Sequence, residues 1–204
     1  MEVMRVKFTF IDEVLGTKPG DPEIHENYIA SKAPDAATMA EEIENFGIEA
    51  VTEKGKTFFD RDQDGNVCFY NYQIKGFFKA ACGAIRRIPG TESAKAKAYK
   101  KIIDTNVFVF ADAENKQERR IRINVNGELG NCQRPLRAQT MQGERVALAD
   151  SETVPAGSSI EFDILLMDKS LEPLVCEWLD YGVYNGLGQW RNSGKGAFTW
   201  ERVS

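Results

Sequence analysis

Between Arg119 and Arg145 the chain carries six arginines and no lysine, against only Glu128 and Glu144. A guanidinium is a rigid planar fork of donors that matches the paired oxygens of phosphates and carboxylates. Arg120, Arg122, Arg134 and Arg137 are therefore candidate phosphate contacts. Lys75, Lys79 and Arg86 add three cations at helical spacing. The segment Gly186–Gly196 holds four glycines around Trp190, Arg191 and Lys195. Glycines such as Gly188 and Gly194 let a backbone approach a ligand closely and leave N–H groups open to phosphate oxygens. Trp190, or Tyr184 before it, could stack on a base. The competing readings are a solvated arginine strand balanced by acids elsewhere, and a glycine segment that is only a flexible connection.

Hydrolytic and metal chemistry have less to work with. Asp60, Asp62 and Asp64 with Gly65 copy the first half of a calcium loop, but the twelfth position is Asn71 where a bidentate glutamate is needed. The flanks read as strands, so the spacing predicts a hairpin turn. A metal-dependent nuclease built on those three carboxylates is the weakest function considered. His25 is the one histidine, set in the acidic stretch Asp21–Glu26 and read as a surface residue. No catalytic residue, metal ligand or cofactor motif is nominated.

The elements that must position these residues follow from periodicity. Val6, Phe8 and Phe10 alternate with polar residues, a half-buried strand. A short helix is expected from Asp35 to Gly47, and a hairpin from Thr57–Phe59 and Val67–Tyr70. Ile74, Phe77, Phe78, Ala81, Cys82 and Ile85 form one helical stripe, with Lys75, Lys79 and Arg86 away from it. A polar helix is expected from Ser93 to about Ile102, then strands at Val107–Phe110 and Ile121–Val125. Residues Asn126–Gly143 read as a long loop or β-excursion. Ile160–Leu166 alternates strongly, Leu171–Val183 is a second amphipathic helix, and Ala197–Val203 closes the chain as a strand. Strand, helix, strand, strand, helix, strand is the split pattern of a ferredoxin-like (RRM-like) α+β fold with an antiparallel sheet. One domain over residues 1–204 is expected, with insertions at about 11–72 and 126–145.

Composition sets the class. The chain has 204 residues, 42% hydrophobic and 28% charged, with a formal charge of −5, so it is no polycation. From Asp21 to Asp62 eleven acids face four bases. No apolar run is long enough to cross a bilayer, and the N-terminus lacks a signal-like stretch, which places the protein in the cytoplasm as an expectation.

The glycine segment between the last helix and the last strand resembles the glycine-rich loop of the RAMP superfamily of CRISPR RNA-binding subunits. Gln73-Ile74-Lys75-Gly76-Phe77-Phe78-Lys79 resembles, in degenerate form, the Gly-Ser-x-x-Lys/Arg-Gly stretch of the CRISPR backbone type, without its Gly-Ser pair. The region Arg145–Phe162, with Glu152 and Val154-Pro155-Ala156-Gly157, is similar to the segment before their last helix. The resemblance covers about half the chain, mainly Tyr72–Arg87 and Arg145–Val203. It implies a ferredoxin-like fold and a non-catalytic RNA-binding module, since no residue matches the cleaving positions of some members. RNA or another single-stranded nucleic acid is then the expected partner. The chain is also similar to proteins of bacteriophages and prophages, which would put it in a bacterial host. The alternative is a protein-interaction or inhibitor role, in which a CRISPR-subunit shape or the acidic 21–62 region occupies an effector's basic groove, with self-association as the other protein partnership considered.

Cys68, Cys82, Cys132 and Cys176 form no C-x-x-C pair, and Cys82 and Cys176 fall on apolar helix faces. Reduced thiols are expected. Alkylation without a reductant, after unfolding, should modify all four thiols by mass; fewer would show a disulfide or a protected metal site.

Overall fold

The structure, a computed structural model, describes residues 1–20, 56–140 and 143–203, and for 136–148 the backbone alone. The expected helix at 35–47, His25 and most of the acidic 21–62 region lie outside the described residues.

Strand β1 (Glu2–Phe10) turns Met4, Val6, Phe8 and Phe10 inward and Arg5, Lys7 and Thr9 outward, as the period of two requires. After an insertion come β6 (Val67–Tyr70) and α1 (Asn71–Ile85). Then follow α2 (Glu92–Lys95), α3 (Tyr99–Asn106), β7 (Val107–Phe110) and β8 (Arg120–Asn124). The chain finishes with β11 (Ser159–Leu166), α4 (Glu172–Asp180) and β12 (Phe198–Arg202). Strands lie in the order β12, β1, β11, then β7 and β8, all antiparallel. That is the ferredoxin-like arrangement, with β7 and β8 sharing the role of its second strand.

Both long helices cover the same face. The Phe78 ring of α1 lies 5.6 Å from Trp178 of α4, and Phe77 lies 5.1 Å from Phe198 of β12. The stripes Ile74, Phe77, Phe78, Ala81, Cys82, Ile85 and Leu174, Val175, Trp178, Leu179 enter one apolar core. On the other sheet face Arg5 pairs with Asp163 at 3.2 Å and Lys7 with Glu201 at 3.3 Å.

The expected helix near Ser93 is two helices, because the chain leaves helical geometry at Ala96 (φ −80°, ψ 84°). Glu177 of α4 accepts the N–H groups of Glu92 (2.9 Å) and Ser93 (2.8 Å), fixing the start of α2. The hairpin is also displaced from expectation. Asp60–Arg61 (β5) pairs with β6, while Lys56–Phe58 (β4) leaves for a second sheet. The divergence falls at Phe59, whose side chain is buried and whose N–H donates to Glu152 at 3.0 Å.

That second sheet joins β2 (Val14–Leu15), β3 (Lys18–Pro19) and β4 to β9 (Gly130–Thr140) and β10 (Gly143–Val154). Of the loop or β-excursion expected at 126–143, the structure has the β-excursion: it holds the first arm of this long hairpin, paired from Gly130↔Thr153 to Thr140↔Gly143. The two insertions therefore meet in one sheet, through the parallel pairs Asp150↔Lys56 and Ser151↔Thr57.

Cys68 and Cys82 are buried, Cys132 and Cys176 half-buried, and all four are free. Burial pushes the Cys68 thiol up to about 11, where a thiolate is scarce near neutrality. Among the described residues no helix is long and apolar enough to cross a membrane.

Phe78 is fully buried between the helices. Phe78→Ala should lower unfolding free energy by about 3–5 kcal/mol, read from urea denaturation; a loss under about 1 kcal/mol would mean that α1 and α4 do not share a packed core.

Candidate nucleic-acid interface

Strands β6 and β8 pair Tyr70 with Arg120 and Cys68 with Arg122. Phe69 and Ile121 face the core, so the partners on either side of them point away from it. Tyr72, one residue into α1 and 62% exposed, stacks on Tyr70 with centroids 5.5 Å apart and planes at 18°. The Arg120 guanidinium sits 5.6 Å over the Tyr70 ring, and its Nε donates to Tyr70 Oη at 3.3 Å. Arg122 donates to Asn66 Oδ1 at 2.7 Å. Beside it opens a cavity of about 610 Å³ lined by Arg61, Asn66, Arg122, Asn124 and Leu129 among others. Arg61 is neutralised by Glu152. Arg120 and Arg122 instead donate to neutral oxygens and form no ion pair with a described residue, while the Glu118 and Asp62 carboxylates act on them from nearby.

The turn at the cavity rim uses the carboxylate that the calcium-like spacing had nominated. Asp62 Oδ1 accepts the N–H groups of Asp64 (2.9 Å) and Asn66 (2.8 Å), and the Asn66 side-chain amide foremost, with these backbone bonds, holds its carboxyl below the usual range. Asp60 pairs with Lys18 at 3.6 Å. Among the described residues no group of three or more His, Cys, Asp or Glu could hold a metal.

The glycine loop is a tight buckle. A Cβ on Gly186 would collide with the Gly196 carbonyl, and Gly188, at φ +82°, lies against Leu15, where a Cβ would come within 2.6 Å of the carbonyl oxygen. Gly194 closes the turn Arg191–Ser193 by donating to Arg191 O at 3.0 Å. Gly196 donates to Glu13 O and Leu187 to Gly196 O. Lys195 pairs with Asp12 at 3.1 Å and Glu13 at 2.9 Å, and the Glu13 bond foremost raises its pKa. The loop's N–H groups and its lysine thus serve the fold more than the open phosphate cradle the glycines suggested.

Trp190 stands apart. It adopts the left-handed conformation (φ 56°, ψ 34°), alone among the described non-glycine residues, a geometry costing about 1–2 kcal/mol for an L-residue. The Arg134 guanidinium lies 5.4 Å over its ring. Arg134 is only 6% exposed and donates to Gln189 Oε1 at 2.7 Å and Ser151 Oγ at 3.4 Å. Gln189 Nε2 in turn donates to Gly16 O (2.7 Å) and Thr57 Oγ1 (3.1 Å). A cavity of about 480 Å³ is lined by Asn185, Gly188, Gln189, Trp190, Arg191 and Asn192.

The remaining nominated cations sit elsewhere. Lys75 donates to Asp104 O at 3.3 Å and lies 5.2 Å over Phe108, and burial lowers its pKa. Lys79 pairs with Asp104 at 2.7 Å. Both are thus tied to the end of α3, not to the loop at 186–196. Arg86 lies 5.1 Å over Tyr99. Arg137 is in β9 opposite Val146, its side chain outside the described residues. Tyr184 borders a different, apolar cavity with Ile88 and Tyr181. Sequence reasoning missed Tyr70 and Tyr72. The available signal was a tyrosine pair two apart, straddling the end of a strand and the start of a helix.

No family model and no curated protein matches this chain. Among solved structures, a chain of the cryo-EM structure of the Type III-B Cmr-beta bound to cognate target RNA aligns over 99% of this chain at 11% identity, with a TM-score of 0.54. This chain spans 58% of that chain's length. A chain of a Type IV-B CRISPR complex aligns over the whole of this chain and 91% of its own, at 11% identity and a TM-score of 0.46. At 11% identity the Cmr-beta likeness is one of architecture: the ferredoxin-like core with its added strands is a CRISPR-subunit-like fold.

Proposed function

We propose that this protein is a non-catalytic, RAMP-like module that binds RNA across the surface of β6 and β8. One observation carries the reading: Arg120 and Arg122 project from adjacent outward positions of β8 toward neutral partners, beside the exposed Tyr72, which stacks on the half-buried Tyr70. Guanidinium groups outside ion pairs contact phosphates without regard to sequence, and an exposed tyrosine ring such as Tyr72 offers a plane to unpaired bases. The rest of the outer sheet face lacks this surplus, because Arg5 and Lys7 are paired with acids across the strands. The likeness to a chain from a target-RNA-bound structure supports the same reading. Binding rather than cleavage fits the carboxylates at 60 and 62, which are committed to Lys18 and to the turn.

A labelled single-stranded RNA of roughly twelve nucleotides tests this by fluorescence anisotropy across a salt series. The pair Arg120→Gln and Arg122→Gln should weaken binding about tenfold or more at low salt. It should also flatten the slope of log affinity against log salt by about 1.4, roughly 0.7 for each lost phosphate contact on a single strand. The control pair Arg5→Gln and Lys7→Gln should change the slope little. Unchanged affinity and slope in the β8 pair would refute the reading.

A further inference from the structure

We infer that the cavity at the glycine loop takes one unstacked base of a single strand, with Trp190 as its stacking platform. This rests on the RNA-binding reading and goes beyond it, because the site recognises a base where β8 meets phosphates.

The lining decides what chemistry fits. A phosphate site needs free N–H groups and free cations. Here the N–H groups of Ser193, Gly194 and Gly196 are bonded within the protein, and Lys195 is held by two carboxylates. The cavity is lined by an indole and three carboxamides, Trp190, Asn185, Gln189 and Asn192, with Arg191 as the one cation among its lining residues. Aromatic planes stack on bases, and carboxamides pair with base edges. The volume, about 480 Å³, falls in the range of small-ligand sites.

Two further observations show that the platform is built. Trp190 is held in left-handed backbone geometry that no other described non-glycine residue adopts. Such geometry persists where the surrounding structure over-determines it, often at ligand clamps. Arg134, almost wholly buried, lies over one face of the indole and is itself fixed by Gln189 and Ser151. The ring is therefore locked in position while Trp190 stays 39% exposed. Gln189 is fully committed to Arg134, Gly16 and Thr57. Asn185 is not: its Oδ1 is buried with no hydrogen-bond partner among the described residues. Turning that amide about its last torsion presents either its acceptor or its donors to a base edge, and Arg191 on the rim can meet the adjoining phosphate.

The full chain is titrated with the same labelled single-stranded RNA and with an abasic ribose-phosphate strand of equal length. Wild-type protein should bind the abasic strand at least about tenfold more weakly. Trp190→Ala should lose a similar factor on the RNA, lose nothing further on the abasic strand, and keep the wild-type salt slope, since no phosphate contact is removed. Trp190→Phe should restore most of the affinity. Thermal melts of both variants check that the fold is intact, and the abasic comparison in the wild type stands even if Trp190→Ala fails to fold. Equal affinity of wild type for the two strands, or of Trp190→Ala and wild type for the RNA, would overturn the pocket while leaving the β8 surface standing. Equal losses in the alanine and phenylalanine variants would mean that Trp190 only packs. A wild-type chain that binds no RNA sinks the functional reading and the pocket together.

Discussion

Phe8 and Phe198 stack face to face at 3.9 Å, their planes 9° apart, across the pairing between the first strand and the last. Phe162 meets Phe8 edge-on at 4.8 Å, and Phe77 of α1 meets Phe198 at 5.1 Å. The stack therefore joins three neighbouring strands and a helix in one contact. It also sets a backbone requirement. A Cβ on Gly182, just past α4, would strike the Phe198 ring. The chain can come this close only without a side chain, and this close approach fixes where it leaves α4 and re-enters the sheet at β12. The glycine loop is the path between those two points, so its shape follows from aromatic packing beneath it.

The added sheet then gives that loop its rigidity. Gln189 bonds at once to Gly16 in the first insertion, to Thr57 beside β10, and to Arg134 on β9. A single carboxamide thereby ties the loop to both insertions, which are themselves joined through β4 and β10. A buried polar network of this kind specifies one arrangement, because each unpaired member would carry a desolvation cost. It converts a glycine-rich connection, which local chemistry would leave floppy, into a platform with its indole held in place.

How much of this was legible in the sequence divides along range. The core strands and both long helices were readable because their apolar residues repeat at two or at three and four, and such periods survive in any tertiary setting. The ferredoxin-like order followed from those elements alone. The second sheet was not readable. Its key contact pairs residues near 56 with residues near 150, and a parallel pairing that distant leaves no local signature. For the same reason Thr57–Phe59 was assigned to the nearby hairpin, when Thr57 pairs instead with Ser151 of β10. At the candidate site Arg120, Arg122 and Trp190 could be nominated from residue type alone. The support of Arg134 beneath Trp190 could not, since it depends on that same unseen sheet.

The sequence also showed where cations are but not which of them are free. Lys195, Lys79, Arg5 and Lys7 each face a carboxylate, while Arg120 and Arg122 donate to a phenol and an amide. For a chain of net charge −5 this distinction outweighs the total. At physiological salt, charges are screened beyond about 8 Å, so a phosphate at β8 responds mainly to the groups within that reach. The Asp62 and Glu118 carboxylates act on Arg122 and Arg120 there, while more distant acids subtract little and paired cations add little. Under the reading proposed above, an acidic protein holds a polyanion where guanidinium groups outside ion pairs stand next to an exposed aromatic ring.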